Sequence, residues 1–113
     1  MNKYRLLAAV LFLGTALAAR AADAQTNWEE QCAKCHGADG KGQTKQGKKL
    51  SIGDFTDAKT QAAFTDEQAF KAMKEGLTDK NGKTTMKAIE GLSDDDMKAL
   101  IPIVRAFGKQ APK

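Results

Sequence analysis

With 113 residues the chain has room for one small domain. Its formal charge of +4 and pI of about 9.1 owe much to the N-terminal stretch. Without Lys3, Arg5 and Arg20, residues 22–113 carry 15 basic and 14 acidic side chains, a net of +1. So nearly neutral a domain lacks the positive excess of a nucleic-acid binder, and no nucleic-acid partner is expected.

The first residues have the layout of a targeting segment. Lys3 and Arg5 make a basic start, Leu6 to Ala19 is apolar apart from Gly14 and Thr15, and Ala19-Arg20-Ala21 closes the run with a small-x-small pattern. The run is 14 residues, short of the roughly 20 that a membrane-spanning helix needs. The absence of Cys near the cleavage region argues against a lipoprotein. Residues 1–21 are expected to be a signal peptide, and 22–113 one exported, periplasmic domain with no membrane span. An uncleaved N-terminal anchor is the alternative.

In chain order, the first helical signal follows the Thr26-Asn27 cap pair, with Glu29 and Glu30 in the first turn. Trp28, Cys32 and Cys35 share one face, and Gly37 ends the helix. Residues 37–54 read as loop, and Phe55 to Phe64 as ambiguous. Thr65 and Gln68 make a capping-box pattern before a stripe of Ala69, Phe70, Met73 and Leu77, with Gly76 as C-cap. Leu77 to Gly91 reads as a second loop. Ser93 caps the last helix, whose apolar face is Met97, Leu100, Ile101, Val104 and Phe107, ended by Gly108. Pro102 inside it predicts a kink near Lys98. No strand-like alternation appears. The expected fold class is all-α: three main helices separated by long loops.

Such a domain has a thin core. Residues 22–113 hold Trp28, Phe55, Phe64, Phe70 and Phe107 as their only aromatics, and small domains often need a staple. Two cysteines three apart make no disulfide framework. Another apolar filler is implied, and long loops need something to wrap around.

Cys32-Ala33-Lys34-Cys35-His36 is C-x-x-C-H, the attachment signal of a c-type haem. Cysteines at i and i+3 lie on one side of a helical turn, so both sulfurs reach the two vinyl groups along one porphyrin edge. His36 is then placed beneath the iron. A thioredoxin-like site would want a strand before the motif and a helix after it. A zinc site needs about four ligands, against two Cys and one His here. A plain disulfide would leave His36 unexplained. The haem reading uses the only two Cys and the only His of the chain.

The sixth ligand has to be chosen among methionines, because there is no second His. Met73 and Met97 fall on helical stripes, where Met is usually core filler. Met86 sits in the second loop between Thr84-Thr85 and Lys87, where a core side chain has little reason to be. Met86 is therefore the expected ligand.

On these residues the chain resembles a monohaem class I cytochrome c of the small bacterial periplasmic kind. The resemblance covers nearly all of residues 24–113. It rests on Cys32 through Gly42, on Trp28 four residues before the first Cys, and on Met86 to Leu92 followed by Ser93 to Phe107. It implies a cytochrome c-like fold around one haem c, with N- and C-terminal helices crossing and a third helix on the other side of the haem. Two departures stand out. Lys87 follows Met86 where the family usually has Pro, and residues 43–54 lack the Pro whose carbonyl often accepts the ligand histidine's ring N–H. A carbonyl between Lys48 and Ile52 is expected in that role.

A haem with both axial positions filled leaves no site for substrate, and His/Met ligation raises the potential relative to His/His. The expected role is a periplasmic electron carrier, not itself an enzyme, monomeric and serving redox protein partners. The alternatives are a haem protein with a weak sixth ligand that binds small ligands or acts as a peroxidase, and a cytochrome subunit of a larger oxidoreductase. Lys41, Lys45, Lys48 and Lys49, with Lys80, Lys83 and Lys87 around Met86, form either a docking rim for an acidic partner or a solvated loop surface.

Overall fold

The computed structural model describes residues 23–109, and the expected signal peptide lies outside the described residues. Helix α1 covers 23–36. Its middle, Trp28–Cys32, is a π turn closed by the Ala33 N–H on the Trp28 carbonyl, and Ala33–His36 returns to α geometry. Asn27 is not the cap expected from the sequence: it is helical at φ −62° and ψ −38°, with no capping side-chain bond. Buried Ala24 gives the preceding turn its own packing, so the helix continues upstream. Gly37, at φ +84°, ends it as expected.

Both segments between the main helices hold more structure than the sequence pattern predicts. Lys45–Lys49 forms α2, capped by Thr44, whose hydroxyl accepts the Gly47 N–H. Ala58–Ala62 forms α3, capped by Asp57. Helix α4 is Asp66–Glu75, with both halves of the Thr65–Gln68 capping box made. The second loop contains a short antiparallel hairpin, β1 (Leu77–Thr78) and β2 (Thr84–Met86), with Leu77 opposite Met86. Strands of two and three residues are too short to show a period of two in sequence. Their turn is local: the Asp79 carboxylate accepts the N–H groups of Asn81 and Lys83, and Gly82 takes φ +80°. Leu77 thereby leaves the α4 stripe and is 49% exposed.

Helix α5 is Asp94–Phe107, opened by a Ser93–Asp96 capping box and carrying Pro102 within it. The described residues are thus mostly helical, and the three main helices are α1, α4 and α5. Their buried side chains form one core: Trp28 and Cys32 from α1, Met73 from α4, and Met97, Leu100, Val104 and Phe107 from α5. Helices α1 and α5 meet where the Trp28 and Phe107 rings pack with centroids 5.1 Å apart. The Phe107 ring also lies 2.6 Å from where a Cβ on Gly40 would stand, so the loop after α1 can press on α5 only through a glycine.

Arg105 fixes the segment between α2 and α4. Its guanidinium donates to the Gln61 carbonyl and side-chain oxygen, to the Phe64 carbonyl and to Asp66, and lies 4.3 Å from the Phe64 ring centroid. The Gln61 amide in turn donates to the carbonyls of Phe55 and Val104. Removing Arg105 strands several part-buried acceptors, whereas Asp66 is mostly exposed. Arg105→Ala should therefore cost about 2 kcal/mol, and Asp66→Asn under about 1 kcal/mol. Denaturant midpoints of the two variants check the ordering.

Candidate functional site

The apolar faces of α1, α4 and α5 line a half-open cavity of about 590 Å³, within the range of small-molecule and cofactor sites. Cys32, His36, Phe55, Met73, Met86 and Leu100 are among its lining residues. A second, more open recess shares Glu75, Leu77 and Met86 with it, but its other walls include Gln31, Lys87 and Glu90 and suit an apolar group less well.

The C-x-x-C-H motif occupies the end of α1, with both thiols free. Burial, and secondarily Cys35, pushes the Cys32 thiol up to about 11. It is protonated at neutral pH, the reverse of the low-pKa thiolate that a redox dithiol needs. Burial also holds the His36 imidazole below its ordinary 6.5, so the ring is neutral and a lone pair is available to a metal. His36 Nδ1 is buried and has no hydrogen-bond partner among the described residues. The carbonyl expected from Lys48–Ile52 is therefore not supplied. That loop turns on itself, with Ser51 N–H on the Lys48 carbonyl and Ile52 N–H on the Gly47 carbonyl. The Phe55 ring instead covers the imidazole face, stacked at 5.0 Å and 16°. Trp28 is the other ring near His36, at 5.8 Å, and its indole N–H is held by the Gly37 carbonyl at 3.2 Å.

The chain after the motif folds back and satisfies its backbone. Gly42 N–H donates to the His36 carbonyl at 2.7 Å, and the Thr44 hydroxyl to the Cys35 carbonyl at 2.6 Å. Gly47 is buried against the same place, and a Cβ there would collide with the carbonyls of Gly42 and Cys35.

Met86, half-buried at the end of β2, reaches the cavity that Cys32 and His36 line. Met97 is in the core and not on this wall. Met73 was read as core filler, and it is buried, yet it also borders the cavity. The helix stripe that signalled packing is the stripe that faces the site, so periodicity could not separate the two. Phe55 and Phe64 were likewise unassigned, and their placement depends on Arg105 and Gln61, 40 or so residues apart in sequence. The donor set of Cys32, His36 and Met86 and the mostly apolar walls fit a c-type haem.

The cytochrome c family model matches residues 21–105. The chain belongs to the cytochrome c family. Among solved structures it is similar to the KustC0563 c-type cytochrome, at 32% identity and a TM-score of 0.64 over 74% of this chain and 94% of that one. No curated protein gives a match. Both likenesses agree with the class I, monohaem resemblance and with its fold, and the family implies haem binding and electron transfer. Among the described residues no helix is long and apolar enough to cross a membrane.

The close approach at Gly47 gives a direct test. Gly47→Ala in the haem-loaded protein should cost more than about 2 kcal/mol, because backbone and not a flexible side chain must yield. Gly91→Ala, at φ +84° with no atom within 4 Å of the new Cβ, should cost about 1 kcal/mol from conformation alone. Equal denaturation midpoints for the two would disprove the close packing.

Proposed function

We propose that the chain is an exported, periplasmic one-electron carrier holding a single haem c through Cys32 and Cys35, with His36 and Met86 as axial ligands. The observation that carries this is the convergence of Cys32, His36 and Met86 on one apolar cavity. The leader-like N-terminus supports export, with the boundary near residue 21 and the functional domain in 22–113. When bound, the haem supplies a one-electron Fe(III)/Fe(II) couple.

The chain's own residues set what that couple does. Thioether bonds from Cys32 and Cys35 would keep the group on α1. The neutral His36 ring and the Met86 sulfur would hold its iron, a pair that favours the reduced state over bis-His ligation. Trp28, Phe64 and Leu100 give the cavity apolar wall. With both axial positions supplied by the chain, no position is left for substrate, so the protein acts as a carrier and not as an enzyme. Nothing in this arrangement requires a second copy, and the carrier is proposed to work as a monomer.

The ligand assignment is tested on the holoprotein. Met86→Ala should abolish the sulfur-to-iron charge-transfer band of the oxidised form, lower the potential and allow carbon monoxide to bind the reduced form. Met73→Leu and Met97→Leu should keep the band and exclude carbon monoxide. Loss of the band in Met73→Leu alone would move the ligand to Met73, which borders the same cavity. Carbon monoxide binding by the unaltered protein would favour the small-ligand or peroxidase-like reading.

Lys80, Lys83 and Lys87 are exposed on the hairpin side of the cavity. Their proposed role is to steer an acidic redox partner. Charges in water are screened beyond about 8 Å at physiological ionic strength, so transfer should slow as salt rises. Replacing Lys83 and Lys87 by Glu should slow it further while leaving the visible spectrum unchanged. Stopped-flow transfer rates insensitive to salt and to both changes would mean a merely solvated surface.

A further inference from the structure

Lys87, which follows Met86, places no restraint of its own on the backbone, unlike a proline. Something else has to hold Met86 against the cavity. Three contacts converge on residues 86–89, and all come from the end of α4 or the strand that leaves it. Leu77 pairs with Met86 across the hairpin. The Ile89 N–H donates to the Met73 carbonyl at 2.8 Å, in the last turn of α4. Between them lies Gly76. A Cβ on Gly76 would stand 2.6 Å from the Met86 carbonyl oxygen and 2.9 Å from the Ala88 nitrogen. Both are backbone atoms, so neither can turn aside as a side-chain tip would.

Gly76 also sits at φ +79° and ψ 179°, a region open essentially to glycine alone. Two other glycines separate the two requirements. Gly82 and Gly91 have φ of +80° and +84°, but a Cβ on either would have nothing within 4 Å. Only at Gly76 does the backbone geometry coincide with close contact to the residue that carries the thioether.

We infer that Gly76 is a positioning residue for the sixth ligand: its missing side chain lets the Met86 backbone seat against the end of α4 and so sets how firmly the thioether is held toward the iron. This rests on the proposed ligation by Met86 and adds to it what holds that ligand. Any side chain at 76 pushes the Met86–Ala88 backbone outward and raises the population with sulfur off the iron. Apparent affinity for a competing ligand rises in proportion to that population.

The test compares Gly76→Ala, Gly82→Ala and Met86→Ala in the haem-loaded protein, with helical circular dichroism and the Soret band confirming a folded holoprotein. Gly76→Ala should lose most of the sulfur-to-iron charge-transfer band and gain at least about tenfold in carbon monoxide affinity of the reduced form. Gly82→Ala, with a similar φ and no contact, should match the unaltered protein in both. If Gly76→Ala matches Gly82→Ala while Met86→Ala loses the band, the positioning role is wrong and the ligand stands. If Met86→Ala keeps the band, the ligand assignment itself falls. Should Gly76→Ala fail to fold, hydrogen exchange of the unaltered holoprotein decides. A slow Ile89 amide is expected, and exchange at the rate of an unprotected amide would overturn the inference.

Discussion

Three amphipathic helices in this chain turn their apolar faces to a common cavity, and the other features of the fold follow from that. Trp28, Met73 and Leu100 come from α1, α4 and α5, and each belongs to the core and to the cavity wall at once. A domain of this size has little apolar side chain to spare. Using the same residues for packing and for the site makes the two inseparable. Burial at that wall also tunes the chemistry, since it keeps the Cys32 thiol protonated and the His36 ring neutral. The neutral ring is the state in which an imidazole can bind a metal.

Short segments brace this arrangement through close backbone contact. Gly40 admits the Phe107 ring, Gly47 admits the carbonyls of Cys35 and Gly42, and Gly76 admits the backbone of Met86. Each joins a connecting segment to a main helix where even a methyl group would intrude. Polar bonds do the same between α3 and α5, where Arg105 and Gln61 consume carbonyls that the short helix and its flanks from Phe55 to Phe64 leave open. The connections are long in sequence but not slack in space.

That distinction explains what the sequence disclosed. The main helices were legible because their signals are local: the Thr65–Gln68 and Ser93–Asp96 capping boxes form as the residues suggest, and Met97, Leu100, Val104 and Phe107 repeat at helical spacing. The C-x-x-C-H motif was legible because it uses contiguous residues. The hairpin was not, because β1 and β2 are paired by the Asp79 turn and by the packing of Gly76, neither of which appears as periodicity. The start of α1 was misplaced because burial of Ala24 outweighs the capping preference of Asn27. The Lys48–Ile52 carbonyl expected at His36 failed for a similar reason. Loop direction is decided by where Phe55 packs, and its N–H is tied back to the Gly40 carbonyl at 2.9 Å.

The two proposed axial ligands are held by different physics. His36 ends the helix that carries both cysteines, and its carbonyl and that of Cys35 are each claimed by the following loop. Covalent tethers next to it would make its position almost independent of the rest of the chain. Met86 has no such tether. Its position depends on a two-stranded pairing, one amide bond from Ile89 and one glycine contact, all of which break at much lower cost than a thioether. Substitutions around the hairpin should then change the strength of the sixth bond without touching haem attachment. Under the proposed ligation, retention of the haem and occupancy of its sixth position would thereby be free to vary separately.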